Sequence, residues 1–235
     1  MRALLLAAGF GTRLRPLTDT IPKCLMLIHG RPLLQYWLDG LFADPRIERV
    51  LVNTHYLAPE VEAFVAASTW RARVDLVHEA ELLGTGGTIL HNRSWLGAEP
   101  FFLAHADNLT DASPTTLIDA HLTGPNDVLL TMLAFRTPTP RSCGILELSA
   151  DDRVLAFHEK VAAPPGNLAN GAIYMVEPAV MDWLAALGGP PIDLSTQVIP
   201  ALIPHIRAVE HHGFFADIGT PEALAQARAA FPIPP

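Results

Sequence analysis

Cysteine is nearly missing from this chain of 235 residues: Cys24 and Cys143 are too few for a disulfide framework and fit a reducing compartment. Long apolar runs are missing as well. Half of the residues are hydrophobic, yet no stretch reaches the roughly 18–20 residues needed to cross a bilayer. The apolar N-terminal stretch is short and runs into glycines without a cleavage site, so it does not read as a signal peptide. Positive charge is scarce: 16 Lys and Arg face 24 Asp and Glu, for a net charge of -8, which argues against nucleic acid as a partner. There is no internal repeat and no low-complexity linker. The expectation is a soluble, cytoplasmic protein with neither a nucleic-acid nor a membrane partner. It would be one domain, or one domain with a subdomain insert, large enough for a proper core.

The few cations are unevenly placed. Arg2, Arg13, Arg15, Lys23 and Arg31 fall within the first 31 residues, opposed only by Asp19. The apolar run 3–8 suits a central strand and ends in Gly9 and Gly11, with Thr12, Arg13 and Arg15 beside them and Lys23 further on. Glycines let backbone N–H groups approach an anion closely, and the cationic heads neutralise its charge, so the loop predicts a polyphosphate ligand.

The first half alternates strand and helix patterns. Strands are predicted at 2–8, 50–54, 74–78, 101–104 and 128–135. Helices are predicted at 33–43, 59–67, from about 88 after a GTGG turn, and at 115–121. This order predicts an α/β fold with a parallel sheet, helices on both faces and ligands at the carboxyl ends of strands. The second half reads as strands at 143–148, 154–159, 171–176 and 208–211, with a turn at 150–153 and helices at 180–187 and 195–203. Residues 217–221 predict a loop leading to a final helix capped by Thr220 with Pro221 at its first position. The proline-rich tail 231–235 is expected to fray. Residues 1–136 would form a nucleotide-binding part and 137–235 a lid-like second lobe with the last helix.

Familiar phosphate motifs do not fit. A dinucleotide fingerprint needs Gly or Ala where Leu14 stands and an acid where Asn53-Thr54-His55 stand. No Gly-Lys-Ser/Thr follows for a Walker loop. The ten histidines show no HExxH spacing, there is no CxxC, and adjacent His211 and His212 on a strand would point to opposite faces. Cys24 beside Lys23 is a candidate for a lowered thiol pKa, but no Cys-His-Asp order and no GxSxG elbow supports nucleophilic catalysis.

The segment LAAGFGTRLRPLTDTIPK (residues 6–23) resembles the signature loop of the sugar-1-phosphate nucleotidyltransferases, or nucleotide-sugar pyrophosphorylases, and the similarity continues to Asp217. The resemblance implies a Rossmann-like, mostly parallel mixed sheet flanked by helices, of the GT-A-like nucleotidyltransferase kind, with a small sugar-binding lobe in the second half. It implies nucleotide contacts at Leu6, Ala7, Ala8, Gly9, Gly11, Thr12 and Arg13, and catalytic roles for Arg13 on the triphosphate and Lys23 at the reacting phosphates. In EAELLGTGGT (residues 79–88), three glycines would open a flat face for a planar base. Alone they would read as a flexible turn, but the resemblance assigns Glu79, Gly84, Thr85 and Gly86, with Asp107, to the nucleotide.

Asp107 and Asp217 each follow a strand-like run. Two carboxylates converging on phosphates suit a hard Mg²⁺ with phosphate and water oxygens completing its shell, although a lone aspartate there is more often a cap or turn residue. The resemblance makes both metal ligands. Ala106 stands where the family commonly has glycine, and Asp111 is a second acidic candidate. For the sugar phosphate the resemblance implies Asn108, Gly144 in CGILE, Glu159 and Lys160 in FHEK, Asn170 in ANGAIYM, and Asp193 in PIDLSTQVIP. By itself Glu159-Lys160 reads as a solvated ion pair and Asp193 equally as a helix cap. Val161 stands where proline often follows.

The implied partners are an NTP and a sugar 1-phosphate, and a homodimer is allowed for. The compact chain is similar to bacterial enzymes acting on mannose, manno-heptose and N-acetylmuramic acid 1-phosphates. That likeness favours GTP with a manno-configured sugar, with UTP and N-acetylmuramate or glucose 1-phosphate second. A phosphocholine cytidylyltransferase-like enzyme would need an aromatic or acidic cage, and aromatic residues such as Phe157, Tyr174 and Trp183 are sparse in the second lobe. A non-catalytic regulatory homologue would be expected to lose Arg13, Lys23, Asp107 or Asp217, all of which are present.

Overall fold

The opening apolar run forms the strand Arg2–Leu6 in a computed structural model that describes residues 1–232. Of the tail expected to fray, residues 233–235 lie outside the described residues. The chain builds two compact units in alternating segments. The first unit takes Met1–Leu82, Ala104–Pro114 and the chain from Gly213 onward; the second takes Leu83–Leu103 and Thr115–His212. The division therefore does not fall at the single boundary near residue 136 expected from the sequence.

In the first unit Arg2–Leu6 pairs in parallel with Arg49–Thr54, and that strand pairs in parallel with Val74–His78. Register sets Leu6 opposite Asn53 and Asn53 opposite Val77, so the carboxyl ends of the three strands share one edge. Helix Leu33–Phe42 buries Leu33, Leu34, Trp37, Leu38, Leu41 and Phe42, the stripe that its helical spacing predicts. Ala58–Ala67 buries Ala58, Val61 and Val65. Phe215–Asp217, not anticipated from the sequence, pairs antiparallel with Asn108–Thr110. The helix Pro221–Ala230 begins as predicted, with the Thr220 hydroxyl accepting from the Ala223 N–H at 3.2 Å. It closes a cluster in which Leu14, Met26, Ile28, Leu33, Leu109, Ile218, Leu224, Ala227 and Phe231 pack together.

The second unit is mixed. Gly144–Leu148 pairs antiparallel with Val154–Glu159. Leu168–Val176 pairs antiparallel with Leu130–Arg136, which takes Ile206–His211 in parallel on its other side. The architecture is α/β, with parallel pairing of the strands named in the first unit, mixed pairing in the second, and helices beside them. One helix starts earlier than predicted: it runs Thr85–His91 and takes in Gly86 and Gly87, so of GTGG only Gly84, its N-cap, lies outside the helix. Among the described residues no helix is long and apolar enough to cross a membrane.

A buried histidine ties helix Pro114–Leu122 to its neighbours in the second unit. The His121 ring lies 2.8 Å from the Thr131 hydroxyl and 3.1 Å from a Glu177 carboxylate oxygen. Burial pushes its pKa below the ordinary 6.5, against the opposing pull of Glu177. The folded chain thus binds this proton less readily than the unfolded chain. The contribution to stability is complete above the unfolded pKa and is lost as pH falls through the depressed one. The urea midpoint is expected to fall between about pH 7 and about pH 5, and His121→Gln should flatten that limb. An unchanged slope in the variant would remove His121 as its source.

Candidate active site

The loop after the first strand turns at its own glycines and is held by one buried hydroxyl. Gly11 sits at φ +63°, and a Cβ there would come within 2.8 Å of the Thr18 methyl. Its carbonyl accepts from the Leu14 N–H (2.9 Å) and from the fully buried Thr18 hydroxyl (2.8 Å). Leu14 is sunk in the core, while Gly9, Thr12, Arg13 and Arg15 remain exposed. Nothing lies within 4 Å of where a Gly9 Cβ would be. The result is a pinned turn presenting bare backbone and guanidinium groups, the arrangement the sequence predicts for polyphosphate.

Next to it, three segments remote in sequence converge. Lys23, on the short turn Lys23–Leu25, donates to the Asp107 carboxylate and to Asp217 Oδ1 at 3.2 Å. Arg13 lies 3.9 Å from the other oxygen of Asp217. The approach of Arg13 needs Gly219, where a Cβ would stand 2.9 Å from the Arg13 Nη2 and 3.1 Å from Asp217 Oδ2. Asp107 follows strand Phe101–His105; the Ala106 N–H donates to the Leu6 carbonyl and the Ile218 N–H to the Asp107 carbonyl, both at 3.0 Å. Ala106 is wholly buried, so its methyl is accommodated where glycine was expected. Burial pushes the Asp107 carboxyl up, but the Lys23 and His105 charges and the Lys23 hydrogen bond together hold it below its usual range.

This donor set fits a hard divalent cation. Two carboxylates already converge on one cationic group, and charged oxygens are what Mg²⁺ takes. No group of three or more His, Cys, Asp or Glu that could hold a metal occurs among the described residues. Such an ion would therefore need oxygens from substrate and water for the rest of its shell. Asp111, the other acidic candidate, instead accepts from the Phe214 N–H at 2.7 Å.

Two polar residues expected at ligands are buried. Glu79 accepts from the Asn53 amide at 2.9 Å, deep at the strand ends. Asn108 was expected beside the sugar phosphate; it is buried in register with Asp217, and its carbonyl accepts from the Trp37 indole N–H at 2.9 Å. Its placement serves the strand that carries Asp217.

In the second unit the side of Gly84 and Gly86 on which a Cβ would stand is filled. A Cβ on Gly84 would sit 2.5 Å from the Ile192 carbonyl oxygen, and one on Gly86 would sit 2.8 Å from the Ile192 side chain and 2.9 Å from Leu184. The Gly86 N–H donates to the Ile192 carbonyl (2.8 Å), and the Thr85 hydroxyl accepts from the Leu194 N–H (2.7 Å). Small residues are needed at 84 and 86 because the 190–194 segment packs directly on them. Asp193 caps the turn Leu194–Val198 by accepting from the Thr196 N–H and hydroxyl, each at 2.8 Å, so its cap reading holds.

Gly144 and Glu159 face each other across paired strands; a Cβ on Gly144 would lie 2.6 Å from Glu159 Oε2. Lys160 lies 3.1 Å from the other Glu159 oxygen, and its N–H, at φ +49°, donates to the Cys143 carbonyl. The Asn170 amide donates to the Tyr174 hydroxyl at 2.7 Å, while its oxygen accepts from the Ala172 N–H. Burial pushes the Tyr174 phenol far up, and the Glu159 and Asp193 charges push it further, against the Asn170 hydrogen bond. Asn170 thus bonds the buried phenol, on which the Glu159 and Asp193 charges also act. Sequence reasoning counted Tyr174 only as an aromatic residue. Its position four residues after Asn170, across a strand irregularity, was the available signal.

The sequence profile of the Nucleotidyl transferase family matches residues 2–232. The chain is 32% identical over 232 residues to a mannose-1-phosphate guanylyltransferase of Mycobacterium tuberculosis, covering 97% of this chain and 63% of that one. It is 30% identical over 227 residues to the catalytic subunit beta of the Drosophila melanogaster mannose-1-phosphate guanylyltransferase (94% and 60% covered). It is also 32% identical over 187 residues to a Streptomyces griseus glucose-1-phosphate thymidylyltransferase (80% and 52%). The chain therefore spans 52–63% of the length of these relatives. In fold it is similar to HddC from Yersinia pseudotuberculosis complexed with GMP-PN, at a TM-score of 0.80, 23% identity and 98% and 99% coverage. A Bacillus anthracis protein crystallised with a sucrose gives a TM-score of 0.89 at 16% identity, with 100% and 98% covered.

The lowered thiol pKa expected for Cys24 is overturned. Burial pushes the thiol up to about 12, and the Asp107 charge adds to it. In the native protein at about pH 8 a thiol reagent should label Cys143, which is partly exposed, and leave Cys24 until the chain is denatured. Rapid native labelling of Cys24 would contradict this burial.

Proposed function

The chain belongs to the nucleotidyl transferase family, and on that premise we propose that it transfers a nucleotidyl group from an NTP to a sugar 1-phosphate, releasing pyrophosphate. The observation that carries this reading is the convergence of Lys23, Asp107 and Asp217 beside a pinned glycine loop bearing Arg13. A phosphate oxygen of the sugar 1-phosphate forms a bond to the α-phosphorus of the NTP as the bond to pyrophosphate breaks. The electron pair of that bond leaves on pyrophosphate. The nucleophile is already anionic near neutral pH, so no side chain has to remove a proton. The protein's work is to position two anions and neutralise charge.

The open backbone near Gly9, the Gly11 turn and Arg13 would receive the triphosphate. Lys23 would move its ammonium from the carboxylates to the phosphates that react. Asp107 and Asp217 would hold Mg²⁺, which when bound supplies charge neutralisation at the phosphate oxygens. In the second unit Glu159 and Asn170 offer acceptors and a donor for sugar hydroxyls, with Lys160 charged for the phosphate. GTP with mannose 1-phosphate or manno-heptose 1-phosphate is the favoured pair, supported by the guanylyltransferase relatives. The thymidylyltransferase relative supports dTTP with glucose 1-phosphate as the second reading.

A matrix of NTPs, including dTTP, against sugar 1-phosphates, read as pyrophosphate release, tests the proposal. The highest kcat/KM is expected with GTP and a manno-configured phosphate; no release from any pair would refute the reading. Asp107→Asn and Asp217→Asn should each lower turnover by about 10²-fold or more. Lys23→Ala should lower kcat more than it weakens NTP binding. Near-normal turnover in both aspartate variants would remove them as metal ligands.

A further inference from the structure

Asn53 stands at the carboxyl end of strand Arg49–Thr54, directly opposite Leu6, and its side chain is buried. Ala7, one residue past the first strand, begins the glycine loop. Its N–H donates to Asn53 Oδ1 at 2.7 Å. The other end of the same amide is fixed: Asn53 Nδ2 donates to Glu79 Oε1 at 2.9 Å. Glu79 is itself held by its backbone, its N–H donating to the Thr54 carbonyl at 2.8 Å and its carbonyl lying 2.7 Å from His55 Nδ1. An amide bonded at both ends has one orientation, because flipping it would set its oxygen against a carboxylate and its NH₂ against an N–H. The tip of the loop leans on the same segment, with the Phe10 ring 5.1 Å from His55 and 5.7 Å from Tyr56.

We propose that Asn53 is a positioning residue for the nucleotide: oriented by Glu79, it fixes the first N–H of the glycine loop and so the path of backbone that meets the triphosphate. This rests on the nucleotidyl-transfer reading above. It explains why the Asn53 amide is buried near the end of the strand, and it turns the buried carboxylate of Glu79 into the group that sets the amide's orientation. The contribution belongs to NTP binding and not to the sugar phosphate or the reaction step.

The test compares Asn53→Asp, Glu79→Gln and the double variant. In Asn53→Asp the side chain can still accept from the Ala7 N–H, but it faces the Glu79 carboxylate. Adding Glu79→Gln supplies a donor in place of that carboxylate and rebuilds the chain of bonds. Asn53→Asp is expected to raise the KM for NTP about tenfold, the scale of one lost hydrogen bond, with kcat and the KM for sugar 1-phosphate within about twofold. The double variant should regain most of that loss when measured against Glu79→Gln. Amide hydrogen exchange in residues 7–12 should rise in Asn53→Asp and fall back in the double variant. If both KM values and kcat worsen together, or the added Glu79→Gln gives no rescue in either readout, Asn53 is only structural and the proposal fails. If the wild type turns over no pair, the functional reading fails separately, and amide exchange still decides whether Asn53 pins the loop.

Discussion

One cationic group, the Lys23 ammonium, joins residues 84 and 194 positions away in sequence by bonding to Asp107 and Asp217. Two carboxylates pointed at one place repel each other, and a partly buried position strengthens that repulsion. Lys23, with Arg13 at the edge, offsets it. The neighbouring backbone is arranged to make the meeting possible. Ala106 bonds to the end of the first strand, Ile218 bonds to the Asp107 carbonyl, and Asn108 sets the register of Asp217. Gly219 contributes by what it lacks, since any Cβ there would crowd both Arg13 and Asp217.

The edge on which these groups gather follows from strand direction. Parallel strands end together, so the loops after Leu6, Thr54 and His78 all begin on one side. Each loop opens with groups that bond across to the next: Ala7 to Asn53, and Asn53 to Glu79. Rigidity at the loop thus comes from side chains of neighbouring strands as much as from the glycines, which allow the turn without fixing it.

The strands of the first half were legible because short segments rich in apolar residues and bounded by polar turns leave few alternatives. The capped last helix was legible because Thr220-Pro221 states both its cap and its first turn. Phe215–Asp217 was not, since three residues with no alternation carry no period and become a strand only through pairing with 108–110. The helix at Thr85 defied local propensity, because glycines are poor helix formers but are required where Ile192 and Leu184 approach. The glycine loop and the charged residues that converge beside it were visible in the sequence. Whether Glu79, Asn108 and Asp193 face a ligand or brace the fold could not, because a carboxylate or amide reads the same in either role until its hydrogen-bond partners are known.

The pairing of Phe215–Asp217 with Asn108–Thr110, and the packing of the last helix on Leu14 and Ile28, also bear on how the molecule is made. The glycine loop leaves the ribosome well before Asp217, one of the two carboxylates beside it. A nascent chain that ends between residues 107 and 217 has the loop, Lys23 and Asp107 without the second acidic partner. Charge balance at this site is therefore completed only once Asp217 has been made. Until then the surface beside the glycine loop carries cations that the folded site holds in check.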